Sequence, residues 1–298
     1  MKLKKLTYIF LLALCFGPSF LFMKVGVEEI PPLTLVSLRV ALAALILFVL
    51  VKIQGKKLWI HRKQAKHFFV MGLTACVLPF FLITYSEQTI SSALAGLING
   101  SVPIFAATLA HFYLPNDRLN LQKMLGILLG IIGLAFVFLP SLERNYGGTQ
   151  GIIMVIIASI GYAVGMVYSK KYLQGLPSLV APTWQLIMAS LVSLPLCLLI
   201  EKPYRLPFPS FQALASVAGL ALIGSALAFI LYYKIIEMAG ASYLSLCTLL
   251  FPLIAITLGA LILGESLTWN AYVGGILILS GLGLAAEIVK WKKKYEMA

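Results

Sequence analysis

Long apolar runs alternate with short polar segments along the whole chain. A bilayer-spanning helix needs about 20 mostly apolar residues. Reading with that length predicts ten membrane-spanning helices, at residues 6–27, 33–51, 67–86, 91–113, 121–139, 150–169, 179–200, 211–233, 241–263 and 270–289. Uninterrupted length carries this reading, because periodicity is weak where every side of a helix is apolar. A transmembrane barrel would instead show strands of about 10 residues alternating with polar lumen positions, and no such alternation appears. The expected fold class is an all-α integral membrane protein whose connections are too short for a folded soluble domain.

Composition and charge sharpen the picture. Of 298 residues, 61% are hydrophobic and 11% charged, against roughly a quarter charged in soluble domains. So sparse a set cannot coat a water-facing surface, which excludes a soluble enzyme and a disordered chain. A net charge of +13 suits nucleic acid when it forms one patch, but here the basic residues sit in short clusters between apolar runs. Cytoplasmic connections of membrane proteins carry the excess of Lys and Arg. With the N-terminus inside, 18 of the 23 Lys and Arg fall on the inner side, 4 on the outer (Lys24, Arg144, Lys202, Arg205), and Arg39 lies within a span. The expectation is a multi-pass membrane protein with both termini cytoplasmic, surrounded by membrane lipid and without a nucleic-acid partner. The first span begins with Lys2, Lys4 and Lys5, yet it is too long for a signal peptide and lacks a small-residue cleavage site, so it is expected to be retained.

The chain also repeats itself. GPSFLFMKVGVEEIPPLTLVSLR (Gly17–Arg39) and GYAVGMVYSKKYLQGLPSLVAPTWQ (Gly161–Gln185) share a glycine, a basic residue (Lys24 against Lys170), a proline and the next helix, in that order. The passage around Pro103–Gly130 recurs around Pro252–Leu279, with Pro103 to Pro252 and Gly126 to Gly275 both 149 positions apart. The acidic turn, Asp117 against Glu265, needs a one-residue slip. Two units follow, residues 1–145 and 146–298, each with five spans. An odd number makes the second enter the membrane from the opposite side, and inverted repeats with a substrate site near the midplane are the plan of many secondary transporters.

The passage FGPSFLFMKVGVEEIPPLTLVSLR resembles the first- and second-helix signature of the EamA family in the drug/metabolite transporter superfamily. The passage from Pro252 to the GESL at 264–267 is similar to the ending of that family's repeat, while PNDRL at 115–119 departs from the family's Gly-Glu-x-Leu. The resemblance covers essentially the whole chain. It implies a ten-helix carrier, usually an inner-membrane exporter of amino acids or related metabolites working by alternating access. It also implies a cavity among spans 1, 3, 4, 6, 8 and 9 with contributions from 2 and 7. Spans 5 and 10 are then peripheral, and their glycines read as packing or dimer surfaces, the homodimer being the one protein partner considered.

Polar residues within a membrane are costly and often functional. Arg39 is the clearest, able to meet a substrate carboxylate or to pair with Glu28, Glu29 or Glu87. Asn99 and Ser101 lie beside Gly96 and Gly100 in span 4, where Asn99 needs a partner from a solute or another helix. Tyr85 belongs to the polar end of span 3. Trp184 and Gln185 stand in span 7 near the repeat position of Arg39. Tyr162 and Tyr232 are amphipathic rings suited to a pocket. These eight are the candidate substrate-binding residues, with Ser245, Cys247 and Thr248 as weaker ones. Cys15, Cys76, Cys197 and Cys247 lack metal-ligand spacing. His61, His67 and His111 read as solvated or snorkelling rings, so neither metal nor cofactor is expected.

No phosphate-cradling GxxxxGK[ST] segment occurs and no catalytic set is apparent. Glu87, Glu237 and Glu265 stand at span ends and Glu287 near the inner edge of the last span, so proton antiport, exchange and facilitated diffusion remain open. The expected function is a secondary transporter of a small-molecule substrate, amino acids first. Drug or toxic-metabolite efflux is the alternative, and a non-transporting scaffold or lipid-handling subunit is the rival from another class.

Overall fold

A computed structural model describes residues 2–114, 119–144, 146–173, 175–177, 179–239 and 241–285. Asp117, Glu287 and the basic cluster from Lys290 lie outside the described residues, as do the side chains of Glu237, Ser245 and Thr248.

The described residues are helical, with no strand among them. We number the helical rods in chain order. They are α1 (Lys2–Val27), α2 (Pro32–Ile53), α3 (Arg62–Ser86), α4 (Ser92–Tyr113), α5 (Leu121–Arg144), α6 (Tyr146–Tyr172), α7 (Val180–Ile200), α8 (Phe211–Ala239), α9 (Ala241–Leu263) and α10 (Trp269–Ala285). Eight of them, α1 to α8, contain a stretch long and apolar enough to cross a membrane, while Leu250–Leu263 and Trp269–Ala285 are shorter apolar helices. A backbone without water must satisfy its own hydrogen bonds, and a helix does so within one segment. Large apolar side chains such as Leu45, Ile53, Leu199 and Leu261 stay exposed on the rods, as a lipid-facing surface requires.

Two of the rods are locally underwound. A π-helical stretch interrupts α3 at Leu73–Val77 and α8 at Leu222–Leu227. Their first residues are 149 positions apart, the separation of the sequence repeat. A π-turn inserts a residue and re-aims the side chains and carbonyls near it. In α4 the chain breaks instead at Gly100 and Ser101, between Ser92–Asn99 and Val102–Tyr113. Pro103 there lacks the amide hydrogen that a continuous helix would use.

Packing has the same duplicate character. α1 lies against α8 and α9, α6 against α3 and α4, and α2 packs on α7. α5 and α10 form a pair at the periphery. Their glycines seat one rod on the other: a Cβ on Gly126 would stand 2.5 Å from the Gly281 carbonyl oxygen, and one on Gly133 2.6 Å from that of Gly274. Small residues bring membrane helices into close contact, so these four glycines serve packing within one chain.

Candidate transport cavity

We call the face at the C-terminal end of α1 the distal face and the opposite one proximal. A cavity of about 110 Å³ lies between α1, α2, α3, α4, α6, α7, α8 and α9. Neither α5 nor α10 lines it, matching the distribution of spans that the resemblance implied. Its wall is mainly apolar, with Phe16, Phe20 and Met23 from α1, Met71, Ala75, Phe80 and Ile83 from α3, and Phe229 and Phe251 from α8 and α9. Its size is below the ~300–1,000 Å³ of drug-sized ligand pockets, which suits a small solute.

Five of the eight sequence candidates line this cavity: Arg39, Asn99, Tyr162, Gln185 and Tyr232. Arg39 is 1% exposed. Its Nε donates to the Ser225 hydroxyl at 2.7 Å and one terminal nitrogen to the Gly224 carbonyl at 2.8 Å. The other terminal nitrogen meets only the Met23 sulfur, at 3.6 Å. The guanidinium carbon stands 3.7 Å from the centre of the Phe80 ring, a cation–π contact. The pairing considered with Glu28, Glu29 or Glu87 does not form, and no carboxylate lies within ion-pair distance of Arg39 among the described residues. The physical reason is that Glu29 is engaged elsewhere, and the π-turn of α8 offers neutral oxygens to the guanidinium first.

Gln185 mirrors that arrangement. It donates to the Cys76 sulfur at 3.2 Å, within the π-helical stretch of α3, and accepts from the Tyr233 hydroxyl at 2.9 Å. Cys76 and Ser225 are again 149 positions apart. Each repeat therefore sends a polar side chain from its second helix into the π-turn of the other repeat's third helix. Asn99 sits at the break in α4, and its Oδ1 is buried without a hydrogen-bond partner. Tyr162 packs edge-on to Phe80, centroids 6.2 Å apart, and its hydroxyl has no partner among the described residues. Tyr232 stacks edge-on with Phe229 and Tyr233.

The remaining three candidates stand apart from the cavity. Trp184 is buried toward the proximal face, where it donates to the Leu58 carbonyl at 3.0 Å and lies parallel to Phe68, centroids 5.8 Å apart. Ser101 is buried and returns its hydroxyl to the Ile98 carbonyl at 2.7 Å, completing the break in α4. Tyr85 is 37% exposed beside Phe81. Also near the proximal face, His67 shares a 2.7 Å hydrogen bond with the Tyr168 hydroxyl and stacks on Tyr172.

The distal face carries an arrangement that sequence reasoning missed. Three carboxylates each cap the N-terminus of a helix from the other repeat. Glu201, after α7, accepts from the Leu33 and Thr34 amides of α2 at 2.9 and 2.6 Å and from the Thr34 hydroxyl at 2.7 Å. Glu265, after α9, accepts from the Ser92 and Ala93 amides of α4 at 2.8 and 2.9 Å and from the Ser92 hydroxyl at 2.8 Å. Glu29, after α1, accepts from the Ser210 amide and hydroxyl ahead of α8 at 2.7 and 2.6 Å. Free amides and the helix dipole make such termini ready anion sites. The Ser210 bonds hold the Glu29 carboxyl below the usual carboxylate range. Gly264, at φ +64°, turns the chain so that Glu265 folds back onto α4. Lys24 adds a fourth tie, donating to the Glu87 carbonyl and, at 3.0 Å, to the Ile90 carbonyl. The only signals in the sequence were acidic residues just past apolar runs and serines just ahead of them.

The architecture is that of a helical membrane protein enclosing a polar-pointed cavity, the general form of a carrier. The pattern of the EamA-like transporter family matches residues 3–139 and again 149–286, and the chain belongs to that family of membrane transporters. An uncharacterized transporter of Bacillus subtilis, YoaV, is 28% identical over 90% of this chain and 92% of its own. Protein PagO of Salmonella typhimurium is 26% identical over 92% and 90%. The uncharacterized inner membrane transporter YedA of Escherichia coli is 27% identical over 87% and 83%. One solved crystal structure superposes with a TM-score of 0.68 over 97% of this chain and 99% of the other at 18% identity, a likeness of fold.

Proposed function

We propose that the protein is a secondary transporter that exports small carboxylate-bearing metabolites, amino acids first among them, across the bacterial inner membrane by alternating access. One observation carries this reading: the Arg39 guanidinium stands in the cavity wall with no carboxylate to neutralise it. A buried charge is ordinarily paired, and within a membrane an ionisable group of this kind marks a substrate pathway. A solute carboxylate completes Arg39, and the unpartnered Asn99 Oδ1 accepts from the solute's ammonium group. The ring of Tyr162 bounds the space between them, and its hydroxyl is available to either group.

Ten spans arranged as two inverted five-helix units, 1–145 and 146–298, account for the paired π-turns, the mirrored helix contacts and the two family matches. In this arrangement both termini are cytoplasmic. The distal face is then the outer one, held shut by the carboxylate caps between repeats, and rocking of the repeats breaks them to open the cavity outward.

The test is counterflow of labelled amino acids into proteoliposomes holding the purified protein. Uptake of one chemical group, lost in Arg39→Met and in Asn99→Ala, supports the reading. Uptake of neutral or cationic amphipathic drugs alone, which the Phe- and Met-rich wall would favour, replaces it by drug efflux. Silence toward both classes returns the scaffold alternative.

A further inference from the structure

We propose that Glu87 is a proton-binding site that governs the distal face, which closes only when this carboxyl has taken up one proton from the water on that side. The proposal rests on the alternating-access reading above and is independent of the solute.

Glu87 follows the last turn of α3 and is 0% exposed, and both its carboxylate oxygens are buried without a hydrogen-bond partner. The Thr84 hydroxyl one turn earlier is buried and unpartnered too. Of the other carboxylates described at this face, Glu29, Glu201 and Glu265 are satisfied by amides and hydroxyls and Glu28 is exposed. Glu87, buried near Glu265, receives none. Lys24 is the near cation, but its ammonium is spent on the backbone carbonyls of Glu87 and Ile90. A bare carboxylate sealed from water costs several kcal/mol and takes up a proton instead. The charged groups acting on it are Lys24 from α1 and Arg39 from α2, which favour the anion, and Glu265 beyond α9, which with burial opposes it. Burial prevails and holds the carboxyl well above the usual carboxylate range.

The surroundings show what opens the site. Glu87 is flanked by the tie from Lys24 and by the Glu265 cap on α4, while α6 closes the adjoining turn through Gly151, whose Cβ would meet Thr89 at 2.8 Å and Ser86 at 3.3 Å. Parting the repeats at the distal face admits water to Glu87, and the hydrated carboxyl releases its proton there. Re-closure requires the proton back, with one O–H bond formed on Glu87 and one hydronium consumed.

Two measurements on the reconstituted full-length chain test this. Infrared spectra read the carboxyl directly: a protonated C=O band is expected at neutral pH, absent in Glu87→Gln and shifted but present in Glu87→Asp. Spin labels at Gln88→Cys and Phe208→Cys, both exposed positions, read the separation across the distal face, the native cysteines being buried. One-proton linkage predicts that the open-to-closed ratio rises about tenfold per pH unit between the ordinary titration of the hydrated, open-state carboxyl and its raised titration in the closed state, and that Glu87→Gln stays closed throughout. A wild type without the band, a separation that ignores pH, or an unchanged pH response in Glu87→Gln overturns the proposal. Failure of every amino acid in counterflow overturns the substrate reading and leaves these two results standing.

Discussion

The π-turns of α3 and α8 occupy equivalent places in the two repeats and hold different chemistry. In α3 the turn presents Ala75 and Cys76, and Gln185 meets the thiol. In α8 the same positions are Gly224 and Ser225, and both serve Arg39. The backbone device is therefore shared, while the charge is one-sided. A duplicated fold supplies a cavity between its halves, and a single unmatched guanidinium gives that cavity a polarity its backbone does not have.

Removing the charge is the most severe way to break this comparison. Arg39→Met should lower counterflow of a carboxylate solute about 100-fold, since each hydrogen bond to a charged group is worth about 1.5–3 kcal/mol. Gln185→Leu, its counterpart, should lose less than tenfold because both its partners are neutral.

Exchanging the small residues comes next. A Cβ on Gly224 would stand 2.3 Å from the Ser19 hydroxyl oxygen and 3.5 Å from an Arg39 nitrogen. Gly224→Ala is thus expected to cost about 1–3 kcal/mol by overpacking, read as a lower melting temperature in detergent. Ala75→Gly, the reverse change in α3, should cost under about 1 kcal/mol.

The hydroxyl and the thiol separate more finely. Ser225→Ala strands the Arg39 Nε in a dry wall, for about 1–3 kcal/mol. Cys76→Ala removes only a weak sulfur acceptor and should fall within about 1 kcal/mol of wild type. Equal losses would mean that the two turns are merely structural.

The smallest effect belongs to the distal face. The Glu29 carboxyl is held low in the folded chain by Ser210, so its cap is present at neutral pH and lost as pH falls through the carboxylate range. Glu29→Gln should flatten that limb of the thermal-stability profile between about pH 5 and pH 3. Protonation of Glu87 runs in the opposite sense, favouring the closed face at low pH, which keeps the two carboxyls distinguishable.

Much of this was legible along the chain. The apolar runs located the rods to within a few residues for most of them, because bilayer thickness sets a length that sequence must meet. Arg39, Asn99, Tyr162, Gln185 and Tyr232 stood out because a polar group inside an apolar run has to be satisfied by something. Trp184 stood out for the same reason, yet its ring faces Phe68 and the Leu58 carbonyl, since periodicity in an all-apolar helix does not tell which side meets the cavity. Cys76 read as one cysteine without metal-ligand spacing, and nothing along the chain singled out Ser225 or Glu201.

By itself the sequence determined the environment, the rods and the repeat, since each follows from composition and spacing that no packing can alter. The tertiary structure alone decided that Arg39 finds neutral oxygens and no acid, that Glu29, Glu201 and Glu265 reach helix termini of the other repeat, and that Glu87 reaches nothing. Those outcomes depend on distances between residues more than 60 to nearly 190 positions apart. Only the packing of one repeat against the other sets such distances.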